Sequence, residues 1–432
     1  MRDRQGLFIR IAQLAIISIV TVVVGSATLS ARFPQDNVVV TRLLADGAVQ
    51  AARRAIVAME PHTIETQIAI CEVPAPPFAE GARARQVQRL FTVAGLQKVR
   101  IDEIGNVIGE VPGAVVGAPV IVSAHLDTVF PAGTDVHVSR KGTVLTGPGI
   151  GDDCRGLAVL VALAQVFVNR RLPTDSPVVL VATVGEEGLG DLRGVRHLFQ
   201  GLGAGRVRSF VSLDGGGLGI VARGVGSLRY RVTFSGPGGH SYGNFGIANP
   251  IHALGRAAAA IAALQVPVTP RTTFNIGRIG GGTSVNAIAS EAWMEVDLRS
   301  SDAAVLDDLD RRFRACVDRA VAEENSRWAG KSPVAAAIQR TGARPTGATG
   351  DDAPLLRRAI LITQALGTSS APTEGSTDAN VAMSLGIPAL TLGAGGTASG
   401  AHSPSERFDV TGAGIGAERA LLVALAAASD RD

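Results

Sequence analysis

Five segments of this chain place a carboxylate or a histidine directly after a short apolar run or glycine turn, and this placement constrains the fold more than any other feature. Val120-Ile121-Val122-Ser123-Ala124 ends in His125-Leu126-Asp127, residues 178–184 end in Gly185-Glu186-Glu187, and residues 210–213 end in Asp214. Gly149-Ile150-Gly151 leads to Asp152-Asp153 at the head of a helical stretch, and residues 389–392 lead through glycines to His402. The runs are rich in β-branched residues and bounded by glycine or proline. Helical patterns at 81–96, 156–169 and 193–202 alternate with them. Strands alternating with helices indicate an α/β domain with a mostly parallel sheet and helices on both faces. In such a sheet, ligands bind beyond the carboxyl ends of the strands, so the five segments converge on one crevice.

The pattern changes in the middle of the chain. Residues 228–234 alternate like a half-exposed strand, and Asn249-Pro250 supplies an N-cap and a first-turn proline for a helix at 251–264. Strands at 272–279 and 292–298 follow. A second helix then carries Val305, Leu306, Leu309, Phe313, Cys316, Val317 and Ala320 as one stripe. A last strand is expected at 332–341. The reading is a catalytic domain in two parts, 35–223 and 344–432, interrupted by an inserted α+β unit at 224–343.

The first residues read as an address. Three arginines and one aspartate precede an apolar stretch at 11–24, and small residues follow it. This is the order of a secretory signal, and extended to Leu29 the stretch reaches 19 residues and also approaches a membrane-spanning length. Residues 1–31 are therefore expected to be a cleaved signal or an uncleaved anchor. Either makes the protein exported, periplasmic or secreted. The whole chain carries 41 Lys+Arg against 38 Asp+Glu, which is no nucleic-acid footprint. Three cysteines do not make a disulfide framework.

Gathering Asp127, Asp152, Glu186, Glu187 and Asp214 in one crevice is costly. Two like charges about 4 Å apart repel by roughly 4 kcal/mol at an effective dielectric of 20. Within these motifs only Arg155 and Arg193 offer a counter-charge. Two divalent cations would neutralise the cluster. Taken singly, Asp152 or Asp153 reads as a helix N-cap, Glu186-Glu187 as a solvated turn, and His402 as an ordinary histidine. Their joint placement after successive strands supports the metal reading. His62, His137, His197 and His252 lack that support and are read as structural.

At these residues the sequence resembles the M20 metallopeptidases, the glutamate carboxypeptidase, tripeptidase and amidohydrolase group. The resemblance covers roughly residues 55 to 425. It rests on Ser123-Ala-His-Leu-Asp-Thr-Val129, Gly147-Pro-Gly-Ile-Gly-Asp-Asp153, Glu186-Glu187-Gly188, Ser212-Leu-Asp214 and Ala401-His-Ser403. It implies that His125 and Asp214 bind one zinc, that Glu187 and His402 bind the other, and that Asp152 bridges them. Manganese or cobalt would also suit this oxygen-rich set. Asp127 would orient His125 through its other ring nitrogen, and Glu186 would be the general base. The metals would polarise the scissile carbonyl and lower the pKa of the water.

The inserted unit looks like the family's lid and homodimerisation domain. His240, in Gly238-Gly239-His240-Ser241, would reach a facing site across the dimer; read alone it is a turn histidine bonded to backbone. Asn286 and Arg299 resemble positions that bind a substrate carboxylate; read alone, Arg299 is a partner for Asp297 or Asp302. Ser376-Thr377-Asp378 matches a stretch bordering the pocket. The chain departs from many relatives in having Asp153-Cys154-Arg155-Gly156 after Asp152 and Gly185 before Glu186. Cys154 reads as a small helix-start residue, a soft metal ligand or a redox-sensitive thiol.

The resulting expectation is a dinuclear zinc-dependent hydrolase of small peptides, with exopeptidase character. An amidohydrolase of N-acyl or N-carbamoyl amino acids is the alternative within the same chemistry. A non-catalytic, membrane-tethered binding module is the alternative from another class.

Overall fold

The computed structural model describes residues 34–429. The expected signal or anchor at 1–31 lies outside them. Among the described residues no helix is long and apolar enough to cross a membrane.

The central sheet runs in the spatial order Gln97–Ile101, Val107–Val111, Val178–Thr183, Val120–His125, Ser209–Leu213, Ala389–Leu392, Ile220–Gly224 and Gly347–Ala348, with Pro372–Gly375 also paired to Ile220–Gly224. It is a mixed sheet. The four strands from Val178–Thr183 to Ala389–Leu392 are parallel, whereas the flanking pairs are antiparallel except that Pro372–Gly375 runs parallel to Ile220–Gly224. The parallel strands are the ones with apolar runs, because a strand covered on both faces cannot alternate with polar residues. All six residues of Val120–His125 are buried. Val120, Val122 and Ala124 pack into one cluster with the helices Gly81–Ala94, Cys154–Arg170 and Gly414–Ala428. Ile121, Val181 and Phe210 face the opposite way, against the helices Arg193–Leu202 and Ala379–Ser384.

A second sheet lies between Ile220–Gly224 and Gly347–Ala348 in the chain. Its order is Thr272–Gly281, Glu291–Ser300, Gly226–Ser235 and Ala335–Arg344, antiparallel throughout. Along Glu291–Ser300 every second residue is buried, namely Ala292, Met294, Val296, Leu298 and Ser300. This two-residue period means that one face is covered and the other is not. The helices Pro250–Ala262 and Ala303–Arg327 supply the cover, with Phe313 stacked on Tyr230 at 5.2 Å between ring centroids. Asn249 and Asp302 cap these two helices, each accepting a main-chain N–H.

The cysteines behave differently from the sequence reading. Cys71, ending the helix Glu60–Cys71, is bonded to Cys154, the first residue of Cys154–Arg170. Cys154 is neither a free thiol nor a metal ligand. The reading missed the pair because three cysteines carry no information on pairing, and the partners are 83 residues apart. Cys316 is free and buried.

Candidate metal centre and active site

Each strand of the parallel core delivers its polar residue at its carboxyl end. His125 closes Val120–His125 and is 2% exposed. Its backbone N–H donates to Asp153 Oδ2 at 3.0 Å, and Asp153 also accepts from Gly156 N, capping the helix that follows. Asp153 is therefore the cap, which leaves Asp152 to face the crevice. His402 sits in the turn between Thr397–Ser399 and Arg407–Asp409 with φ of +65°, a backbone conformation seldom adopted by a residue with a Cβ and often found at functional positions.

The geometry centres on Asp152. Its Oδ1 lies 2.9 Å from His125 Nε2, and its Oδ2 lies 3.2 Å from His402 Nε2. His402 Nε2 is also 3.0 Å from Glu187 Oε1. Donor atoms of His125, Asp152 and Asp214 lie within 4.8 Å of one another, as do those of Asp152, Glu187 and His402. A third such trio is His125, Glu186 and Glu187. The structure thus brings together all five residues read as ligands, with one carboxylate oxygen of Asp152 turned to each histidine.

Asp127 is used differently from the expectation. His125 Nδ1 lies 2.9 Å from the main-chain oxygen of Asp127 and 3.7 Å from its carboxylate. The imidazole is therefore oriented by a backbone carbonyl. The Asp127 carboxylate accepts instead from the N–H groups of Glu186 and Glu187, at 3.0 and 2.8 Å, and so holds both glutamates in place.

The counter-charges suggested by the sequence are engaged elsewhere. Arg155 is clamped to both oxygens of Glu60, at 2.7 and 3.1 Å, and Arg193 to both oxygens of Glu80, each at 2.7 Å. A different guanidinium meets the cluster. Arg344, ending the last strand of the second sheet, donates to Glu186 Oε1 at 3.0 Å, to the Glu186 carbonyl, and to Ser376 Oγ at 3.2 Å. Sequence reasoning missed Arg344, which follows no motif and belongs to the other unit. It also missed Glu406, which is buried four residues after His402 and binds the loop before Asp152.

One guanidinium does not balance these acids. Burial pushes Glu186 up to about 8 even though Arg344 opposes the shift. Burial and the nearby Asp152 carboxylate push Asp214 well above its ordinary range. The bonds to Asp152 and Glu187 raise His402 to about 10. Burial opposes a charged His125, yet its bond to Asp152 and the surrounding carboxylates hold it above its usual value. Carboxyls that retain protons and imidazoles that gain them express the same shortage of positive charge. Two imidazole nitrogens and several carboxylate oxygens at these separations fit a pair of divalent cations.

Among the described residues none of the positions expected in the second unit bonds directly to this cluster, although Asp297, the partner of Arg299, also pairs with Arg229, which donates to the Gly188 carbonyl. His240 is exposed on a short strand paired with Ala287–Ile288. Its Nδ1 accepts from the N–H groups of Tyr242 and Gly243, at 3.3 and 3.2 Å. That fixes the tautomer, so Nε2 carries the proton and points away from the turn. Asn286 is exposed beside it, its carbonyl accepting from Ser241 N. Arg299 pairs with Asp297 at 2.6 Å, one of the two partners that the sequence left open. Ser376 touches Arg344, and buried Asp378 accepts from Thr183 Oγ1 at 2.6 Å, so that stretch borders the cluster. His137 Nδ1 lies 3.0 Å from Glu72 Oε1, and His252 Nδ1 lies 3.7 Å from Glu324 Oε1.

Comparison with known proteins accords with this geometry. The profile of peptidase family M20/M25/M40 matches residues 121–426. The chain belongs to that family. It is a metal-dependent amide hydrolase, which sets aside the non-catalytic alternative. This M20 chain is 24% identical over 352 residues to the succinyl-diaminopimelate desuccinylase of Corynebacterium glutamicum, covering 79% of itself and 90% of that relative. A tripeptidase of Staphylococcus aureus superimposes with a TM-score of 0.70 at 20% identity, covering 85% of this chain and 98% of that one. The YxeP protein of Bacillus subtilis, a dinuclear metal-binding peptidase of the M20 family, superimposes with a TM-score of 0.61 at 17% identity, over 85% and 98% of the two chains.

Proposed function

We propose that this M20 chain is an exported dinuclear zinc exopeptidase acting on short peptides. The observation that carries the reading is the Asp152 carboxylate, with one oxygen turned to His125 and the other to His402. His125 and Asp214 would hold one ion and Glu187 and His402 the other, with Asp152 shared. Bound there, the metals would supply Lewis acidity toward the scissile carbonyl and lower the pKa of the attacking water.

The chain's own groups do the rest. Glu186, held by Arg344 and by the Asp127 carboxylate under its N–H, accepts the proton of the attacking water and delivers it to the leaving amine. His240 presents an Nε2–H donor suited to a developing oxyanion, and in a homodimer built through the second unit it would serve the facing site. Asn286 and Arg299 would receive the substrate carboxylate, Arg299 by two parallel hydrogen bonds. The Cys71–Cys154 bond supports an oxidising compartment and thus export, by a cleaved or retained N-terminal segment.

A second reading, an amidohydrolase of N-acyl amino acids, is favoured by the likeness to the desuccinylase. Metal analysis of the purified protein, followed by a panel of dipeptides, tripeptides, N-acyl and N-carbamoyl amino acids, separates the two. The proposal expects two zinc ions per chain and turnover of the peptides. Turnover confined to the acyl or carbamoyl compounds overturns it in favour of the second reading.

A further inference from the structure

Glu406 is fully buried, and among the described residues it has no ion-pair partner. Buried polar oxygens must find hydrogen-bond donors within the protein. Those of Glu406 have three, all from one stretch of backbone. Gly149 N donates to Oε2 at 3.1 Å, while Gly151 N and Asp152 N donate to Oε1 at 2.8 and 3.0 Å. The backbone of Glu406 joins in, its carbonyl accepting from Gly147 N and its N–H donating to Ser403 O, both at 3.0 Å. The second of these bonds closes the turn 403–406, which directly follows the turn spanning His402, itself closed by Ser403 N donating to Gly400 O.

The side chain thus ties two loops from distant parts of the chain, one bearing Asp152 and the other bearing His402. The glycines of the first loop are shaped around it. A Cβ on Gly151 would stand 2.9 Å from Glu406 Oε1 and 2.9 Å from the Ala398 side chain. Gly149 has φ of +73°, and a Cβ there would meet Thr128 Cγ2 at 2.8 Å. The Gly-x-Gly spacing before Asp152 is therefore what lets a carboxylate approach the main chain closely enough to gather its N–H groups.

We infer that Glu406 is a positioning residue. By binding the N–H of Asp152 and of the two glycines before it, Glu406 fixes the direction of the Asp152 carboxylate, so that one oxygen meets the His125 side and the other the His402 side. The assignment rests on the reading of Asp152 as the shared ligand. Glutamine fits the same space but offers a single acceptor oxygen, so the N–H of Gly149 would face an amide NH2.

The test is zinc titration into metal-free wild type, Glu406→Gln and Gly151→Ala, with melting temperature and circular dichroism measured on the same metal-free samples. Both variants should keep the wild-type spectrum and bind zinc about 10- to 100-fold more weakly, the range for removing an outer hydrogen-bonding partner of a metal site. In steady state, kcat should fall while KM stays within about two-fold. A folded Glu406→Gln protein with wild-type zinc affinity and kcat overturns the assignment. Should that variant fail to fold, Gly151→Ala decides by the same criteria, since it disturbs the contact from the loop side. A wild type that binds fewer than two zinc ions per chain breaks the reading of the metal centre itself, an outcome distinct from the loss of Glu406's role.

Discussion

In the central unit most polar groups of the site are buried near strand ends and hold one another, with His402, 56% exposed, as the exception. His125, Glu186 and Glu187 are within a few per cent of full burial, and Asp127, Asp153 and Glu406 satisfy backbone N–H groups around them. In the inserted unit, His240 and Asn286 stand on the surface, and Arg299 is half-buried against Asp297. The first arrangement is complete within one chain. The second has two exposed groups, His240 and Asn286, and one guanidinium already engaged by Asp297. Apart from His402, burial thus separates the clustered acids and histidine of the central unit from the positions of the inserted unit.

The largest effect expected from this contrast is at Glu186. Glu186→Gln should lower kcat by about a hundred- to ten-thousand-fold with metal content unchanged. Unaltered hydrolysis would remove the residue from its role and place the proton transfer elsewhere. His240→Ala comes next, with a loss of about a hundred- to a thousand-fold, the range for one oxyanion donor. If the histidine acts across a dimer, mixing the two inactive variants should restore part of the activity through hybrid dimers. No recovery despite confirmed subunit exchange would mean that the two units serve one another within a chain or not at all. The smallest effect should come from replacing both Cys71 and Cys154 by alanine. Closing a loop of 83 residues contributes about 2–4 kcal/mol, and thermal unfolding should show the loss. An unchanged melting temperature would mean that the bond contributes nothing to the central unit.

Much of the central unit was legible because its signals are local. An apolar run followed by an acid is contiguous, and the helix Arg193–Leu202 has the bounds read from the sequence. Short antiparallel strands such as Val107–Val111 and Ile220–Gly224 were missed, since neither runs into a polar motif. The helix Glu60–Cys71 was missed as well. The identities of the metal-site residues were legible, but their supports were not. Arg344 comes from the other unit, Glu406 acts through the main chain of a loop about 250 positions earlier, and Cys71 gives no sign of its partner. The role of Asp127 was half legible: sequence reasoning placed it beside His125, but only coordinates reveal that its carbonyl and carboxylate have separate tasks. Contacts closed over long loops leave no period in a sequence.

Where the second sheet joins the first, Ser227 and Arg344 face each other across one antiparallel ladder. Entry and exit of the inserted unit are thus a single strand spacing apart, roughly 5 Å. A cut made there can be rejoined by a very short linker, and another cap with the same two ends can be grafted in its place. New specificities can therefore arise by exchanging a cartridge, provided that the incoming piece brings a guanidinium for Glu186.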